Sequence, residues 1–301
     1  MVETSDEWIT ERTGIKERRI CEKGQSTSDL AFEASTRAIK AAGIGAEDLD
    51  LIIVGTLTPD TLMPSMGCIL QARLHARKAA AFDIYAACSG FLYGLAVADA
   101  FIRSGMHQTV LVVGAEALSR FTDWEDRTTC VLFGDGAGAA VVQRHAGKRG
   151  ILSTHLHSDG AFGDLLHIPG GGAAHPASHD TVTRRQHYIK MKGNETFKVA
   201  VRALEDVVQE ALDYNKVKAE DIDLLVPHQA NLRIIQAMAK RLDMPMDKVV
   251  LTIHKYGNTS AASIPVALDE AVREGRIKEN DLILLEAFGG GLTWASALLR
   301  W

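Results

Sequence analysis

The sequence repeats itself. Ala46-Glu47-Asp48-Leu49-Asp50-Leu51 returns as Ala219-Glu220-Asp221-Ile222-Asp223-Leu224, offset by 173, each time between an amphipathic stretch and an apolar one. The stretch from Cys88 through Asp99 to Ser104-Gly105 lines up with Asn258 through Asp269 to Glu274-Gly275 at an offset of 170, and Leu111 to Ala115 lines up with Ile283 to Ala287 at 172. A Phe-Gly turn stands near the end of each half, at Phe133-Gly134-Asp135-Gly136 and at Phe288-Gly289-Gly290-Gly291. Helical sequence matches easily by chance, but three ordered matches at a nearly constant offset do not. A duplicated unit folds the same way twice, so two halves (1–148 and 149–301) are expected to pack about a pseudo-two-fold axis.

Each half alternates strand-length apolar runs with longer amphipathic stretches. The runs are Leu49 to Thr56, Ala80 to Tyr85, Thr109 to Gly114 and Ala137 to Gln143, then Ile151 to Leu156, Ile222 to Val226, Val249 to Ile253, Asp281 to Glu286 and Trp294 to Leu299. Helical patterns cover Ser28 to Ala42, Phe91 to Ser104, Glu195 to Tyr214 and Ala262 to Glu274. Alternation of this kind indicates an α/β protein with mostly parallel, buried sheets. The duplication also predicts an asymmetry. In the second half a strand (Ile151 to Leu156) precedes the helix Glu195 to Tyr214, and its counterpart falls before Met1, so the first half is expected to lack its opening strand.

Composition narrows the function classes. With 47% hydrophobic and 24% charged residues the chain is an ordinary globular one. A net charge of −5 gives no electrostatic footprint for nucleic acid. No apolar run reaches the ~18 residues that span a membrane, and the polar start MVETSDEW is unlike a signal peptide. The 4 cysteines are sparse and show no metal-ligand spacing or disulfide framework, which fits a reducing, cytoplasmic compartment.

Three polar residues stand at strand-to-helix junctions. Cys88, in AFDIYAACSGF, follows a strand and opens a helix, where free N–H groups and the positive dipole end favour a thiolate. A buried cysteine acting as a small hydrophobe is the plainer reading. His228 follows Pro227 at the end of an apolar strand, where open α/β sheets place ligands; a satisfied core histidine fits as well. Asn258 reads as a helix cap or as a third polar partner. Together they form a Cys/His/Asn set that the symmetry brings across its axis. The glycines from Phe133 to Gly138 lack phosphate-loop phasing and read as a tight turn into a strand. Six of the 11 histidines fall between His155 and His187; zinc is conceivable there, but a polar loop through Pro169-Gly170-Gly171-Gly172 fits better.

The motifs TSDEWITERTGI, AFDIYAACSGF, DRTTCVLFGDGAGAAVV, MKGNETFKVAV, LVPHQANLRII, YGNTSAASIP and LLEAFGGGLTW resemble those of the β-ketoacyl-acyl carrier protein synthase III family, from Val2 to Trp301. The resemblance implies the thiolase fold, two halves in five α-β-α-β-α layers, and a homodimer. It implies a decarboxylative Claisen condensation of an acyl-CoA primer with malonyl-acyl carrier protein, without metal or organic cofactor. Cys88 is then the nucleophile, His228 and Asn258 complete the triad, and the backbone N–H groups of Cys88 and Gly290 form the oxyanion hole. Trp8, Arg12 and Arg127 match coenzyme A positions, and Asn194, Phe197 and Asn231 match positions near the pantetheine tunnel. Lys198, Gln229, Ala230, Asn231, Leu232 and Arg233 match the carrier-protein segment, and Met63 the acyl pocket of the partner subunit.

This chain departs from the family in three respects. An opening segment of roughly thirty residues, by the rise of strand and helix, is expected to be missing, including a strand central to its sheet. The loop Gly170 to His187 is long and rich in histidine. Met63 leaves primer length open. Three rivals follow. A papain-like hydrolase uses Cys, His and Asn in this chain order, but Ala87-Cys88-Ser89-Gly90-Phe91 lacks its Cys-Gly-Ser-Cys-Trp signature. A thiolase-fold condensing enzyme of secondary metabolism and a catalytically impaired, N-terminally truncated form are the others.

Overall fold

The computed structural model describes residues 2–301. The first half runs α1 (Asp6–Thr13), α2 (Thr27–Ala42), β1 (Leu51–Gly55), α3 (Met66–Arg73), β2 (Ala80–Ile84), α4 (Gly90–Arg103), β3 (Thr109–Ala117) and β4 (Asp135–Gln143). The second runs β5 (Gly150–Ser158), β6 (Leu166–His167), α5 (His179–Thr183), β7 (Lys190–Met191), α6 (Gly193–Asn215), β8 (Leu224–Pro227), α7 (Leu232–Arg241), α8 (Ile253–Tyr256), α9 (Ser263–Arg273), β9 (Leu282–Gly289) and β10 (Thr293–Arg300).

Local chemistry sets the helix ends. Ser26 N–H donates to the Asp29 carboxylate at 2.8 Å, which closes a capping box on α2. Gly43, at φ 67°, ends that helix in the left-handed conformation that glycine adopts freely. α6 buries Thr196, Ala200, Ala203, Leu204, Val207, Val208 and Ala211, the i, i+3, i+4 stripe of an amphipathic helix. The apolar runs become strands because both faces of each sheet are covered: all nine residues of β3 and all eight of β9 are buried.

Two mixed sheets result, in the orders β2-β1-β3-β4 and β5-β10-β9-β8. Three apolar clusters show the layering. Leu51, Ile53, Phe91, Leu92, Val110 and Val112 pack with Leu224, Val226, Ile264, Leu268, Ile283 and Leu285, so α4 and α9 lie between the two sheets. α2 and α3 cover the outer face of the first sheet, and α6 and α7 that of the second. This is the five-layer thiolase arrangement.

The symmetry is closer than the sequence matches suggest. The short 3-10 turns 46–48 and 219–221, the strand starts Leu51 and Leu224, the turns 87–89 and 260–262, and the helix starts Gly90 and Ser263 all keep the 173 offset. α4 is three residues longer than α9, so the offset falls to 170 only at the helix ends. The pairing of Cys88 with Asn258 is therefore shifted by three, and Ala261 is the structural counterpart of Cys88.

The opening strand was expected to be central. Its counterpart β5 lies at a sheet edge, antiparallel to β10 from Thr293↔Ser158 to Arg300↔Gly150. The equivalent place on the first sheet is the outer side of β4, which pairs only with β3 among the described residues. A groove of about 1500 Å³ runs along that side, lined by Leu30, Ala34, Ala137, Ala139 and Val266, and none of Cys88, His228 and Asn258 borders it. The run Val249 to Ile253 also forms no strand. Val249 makes one parallel bridge to Leu225 before the chain turns into α8.

Candidate active site

Cys88 sits in the turn between β2 and α4, 6% exposed. Ala87 ahead of it has φ 46°, and Ser260 at the symmetric position has φ 49°. Left-handed backbone at two non-glycine residues costs on the order of 1–3 kcal/mol each and persists only where packing enforces it. Here the Cys88 turn packs on β9 of the other half and the 260–262 turn packs on β3, and the two turns touch. Gly289 makes the approach possible: a Cβ there would lie 2.6 Å from the Cys88 nitrogen. The N–H groups of Cys88 and Gly290 both bear on the sulfur. Burial pushes the Cys88 thiol up to about 12, against the pull of these two N–H groups.

His228 follows β8 and donates its N–H to the Glu286 carbonyl at 2.8 Å. Its Nδ1 is 2.6 Å from Ser263 Oγ, which also accepts the Gln229 N–H at 3.3 Å. When Ser263 donates its hydroxyl proton to Nδ1, the ring hydrogen sits on Nε2, the tautomer that presents an N–H away from Ser263. Burial pushes His228 down to about 3, so the ring is neutral and carries one N–H. Ser263→Ala frees the other tautomer. We expect about tenfold slower condensation with unchanged acylation of Cys88, measured as separate half-reactions, and recovery in Ser263→Thr.

Asn258 is 8% exposed and clamped by its backbone, which donates to the Leu132 carbonyl at 2.9 Å and accepts from Gly134 at 3.0 Å. Its Oδ1 accepts the Ser260 N–H at 2.9 Å, which leaves the amide NH₂ as the outward end. Cys88, His228 (through Ser263) and Asn258 thus converge on the N-terminal ends of α4 and α9.

Other candidates divide. Trp8 is flanked by Arg127, 4.1 Å from its ring centroid, and by Arg12 at 5.3 Å. Asn231 caps α7 by accepting the Arg233 N–H at 2.9 Å, and its amide donates to the Arg12 carbonyl at 3.4 Å, tying α7 to α1. Asn194, Phe197, Lys198 and Arg233 are exposed, whereas Ala230 and Leu232 are half-buried. Gln229 does not fit a carrier-protein contact. It is 1% exposed, its amide donates to the Pro227 and Val250 carbonyls, and its Oε1 accepts from Thr252 and Ile253. Met63 is 86% exposed beside Leu62.

Comparisons with known proteins identify the family. Residues 82–160 match the model of 3-oxoacyl-[acyl-carrier-protein] synthase III, and residues 212–301 match the model of its C-terminal part. A β-ketoacyl-[acyl-carrier-protein] synthase III of Thioalkalivibrio sulfidiphilus is 58% identical over 300 residues, covering 100% of this chain and 92% of that one. The chain belongs to the β-ketoacyl-[acyl-carrier-protein] synthase III family. A second relative of that name, from Caldanaerobacter subterraneus subsp. tengcongensis, is 57% identical over 100% of this chain and 91% of its own. The crystal structure of 3-oxoacyl-[acyl-carrier-protein] synthase III from Aquifex aeolicus superposes with a TM-score of 0.92 at 53% identity, covering 99% of this chain and 92% of that one. The protein is accordingly an acyltransferase of the condensing type. A secondary-metabolism enzyme is the less supported reading.

The histidine-rich region is a folded element. Arg185 and Lys190 both pair with the buried Asp123, whose carboxyl the Arg185 guanidinium holds far below the usual range. His155 and His157 lie on β5 against Glu210, away from the loop. Among the described residues no cluster of three or more His, Cys, Asp or Glu is placed for a metal ion, and no helix is long and apolar enough to cross a membrane. Ser263 was not among the residues the sequence singled out. Ser263 opens the helix across the axis from Cys88, which was the available signal.

Proposed function

We propose that the protein joins a short acyl-CoA primer to malonyl-acyl carrier protein, giving 3-oxoacyl-acyl carrier protein, CoA and CO₂. The observation that carries this reading is the convergence of Cys88, neutral His228 and Asn258 at two symmetric helix ends. Cys88 attacks the primer thioester, with the oxyanion held by the N–H groups of Cys88 and Gly290. Malonyl carrier protein then loses CO₂. His228 Nε2–H and the Asn258 amide meet the enolate oxygen, and the carbanion attacks the acyl-enzyme. The steps as written call on no resident cofactor.

Trp8, Arg12 and Arg127 hold the nucleotide end of CoA on this reading, and Asn194, Phe197 and Asn231 line the approach. Arg233 and Lys198 supply positive charge for an acidic carrier protein. The exposed Leu62, Met63 and Tyr85, beside the open edge of β2, are the surface for a second subunit, which Met63 enters as part of the acyl pocket. The four free cysteines suit the cytoplasm. The division at 148/149 belongs to the same reading.

The test is intact-mass analysis after incubation with acetyl-CoA. A single acetyl adduct is expected, mapping to Cys88 and absent from Cys88→Ala. An adduct that survives the substitution, or none on the native protein, would falsify the assignment.

A further inference from the structure

The histidine-rich segment ends in a tie that the condensation does not use. All three guanidinium nitrogens of Arg185 are engaged. Nε donates to Asp123 Oδ2 at 3.0 Å and Nη2 donates to Asp123 Oδ1, a two-pronged pair, while Nη1 lies 3.2 Å from Glu125 Oε2. Two further contacts fix the segment. Lys190 Nζ donates to Asp123 Oδ2 at 3.2 Å, and the Ile189 N–H donates to the Phe121 carbonyl at 2.9 Å. The Arg185 backbone is left-handed, at φ 55°. A non-glycine residue keeps that conformation only where its surroundings enforce it, and these contacts do so.

What the tie holds is the turn that carries Arg127. Asp123 Oδ1 accepts the Glu125 N–H at 3.1 Å, and the Asp123 carbonyl accepts the Asp126 N–H at 3.0 Å. The Asp126 carbonyl in turn accepts the Cys130 N–H at 2.9 Å, so Arg127 stands inside two linked turns. Its guanidinium carbon lies 4.1 Å from the Trp8 ring centroid. Trp8 packs on the same apolar cluster as Ile189 and Phe121, so both sides of the stack rest on one base. The turn also brings three carboxylates close to Arg127 in the chain. Each is engaged elsewhere: Asp123 and Glu125 on Arg185, and Asp126 on Thr128, whose N–H and Oγ1 donate to it at 2.9 Å and 2.6 Å.

We propose that Arg185 is a positioning residue for the nucleotide end of CoA, and that it makes the enzyme favour a nucleotide-bearing thioester over a bare pantetheine one. The proposal rests on the reading that Trp8, Arg12 and Arg127 hold that end. The phosphates of CoA are anionic, and carboxylates free to swing onto Arg127 would compete with them for its donors. Arg185 takes two of the three out of that competition and fixes the backbone that presents Arg127. Its pair with the buried Asp123 is the firm one, because the exposed Glu125 is screened by water. Lysine at this position keeps the charge but loses the fork that grips Asp123. Arg185 acts through Arg127 rather than on the reacting atoms.

The experiment compares acetyl-CoA with acetyl-pantetheine, the same thioester without its nucleotide. Cys88 acylation is followed by intact mass against primer concentration in the native protein, Arg185→Gln, Arg185→Lys and Arg127→Ala. Arg185→Gln should raise the half-saturating concentration of acetyl-CoA about tenfold at an unchanged maximal rate. Both constants for acetyl-pantetheine should stay as in the native protein. Arg185→Lys should lie between, with a rise of about threefold for acetyl-CoA alone. Equal losses on the two primers would make Arg185 a support of the fold only, and an unchanged acetyl-CoA constant in Arg185→Gln would remove it from the nucleotide end; either result overturns the proposal. An Arg127→Ala protein that keeps the native constant for acetyl-CoA overturns the nucleotide reading itself. If Arg185→Gln does not fold, the same contrast between primers in Arg185→Lys decides.

Discussion

Replacing His228 or Asn258 with Ala is expected to slow condensation by about 10²–10³-fold for each, while acylation of Cys88 stays within a few fold. The asymmetry follows from where charge develops. On the proposed mechanism, the negative charge in acylation gathers on the thioester oxygen, facing the backbone N–H groups of Cys88 and Gly290. In decarboxylation it gathers on the enolate oxygen, for which the same proposal makes neutral His228 and the outward Asn258 amide the donors. A donor fixed in a buried site acts without reorganisation, so deleting one loses most of its worth, about 3–4 kcal/mol. Because burial holds His228 near 3, its role as a donor does not titrate at neutral pH, and the condensation rate should show no His228 limb above about pH 5. The check is single-turnover kinetics. Acyl-enzyme formation from labelled acetyl-CoA is followed first, and release of CO₂ from malonyl carrier protein is then followed with pre-formed acyl-enzyme. Equal losses in both steps, or a His228→Ala enzyme that decarboxylates normally, would remove the pair from the enolate site.

The fold was largely legible because strand alternation and duplication are written in short-range sequence. The terminal three residues of a helix are not, and that is why Cys88 was paired with Asn258: matching the helix ends through Gly105 and Gly275 carried the extra turn of α4 back to its start. The opening strand was misplaced because strand order within a sheet depends on crossovers, which periodicity does not encode. The same limit applies in the site. Cys88, His228 and Asn258 stand out as polar residues at junctions, but Ser263 matters through what it touches. Gln229 shows the reverse. In the sequence it is one polar residue in a surface-like run, yet its amide closes four backbone hydrogen bonds inside the protein. Helix α7, which begins three residues later, takes the exposed positions instead.

Glu286 gives the second large effect, this time on stability. It sits on β9, 2% exposed, with Oε2 buried and unpartnered among the described residues. Burial alone pushes its carboxyl up from 4.5 to about 8. The folded state therefore prefers the neutral acid, whereas the unfolded chain ionises near its ordinary value. A group raised on folding contributes stability that is fully present below the unfolded value and is lost as pH rises through the folded one. The native protein should thus weaken between about pH 5 and pH 9, with Glu116, raised to about 7, adding to the same trend. Glu286→Gln keeps the shape and cannot ionise. It should be near neutral at pH 5 and stabilising at pH 9, by on the order of 2–4 kcal/mol. Urea unfolding at both pH values checks this, read as the midpoint difference between variant and native protein at unchanged slope. A variant that is equally stabilising at pH 5 and pH 9 would show that packing, rather than the buried charge, is what Glu286 strains. A variant that destabilises at pH 9 would mean that the carboxylate has a partner and that the direction argued here is wrong.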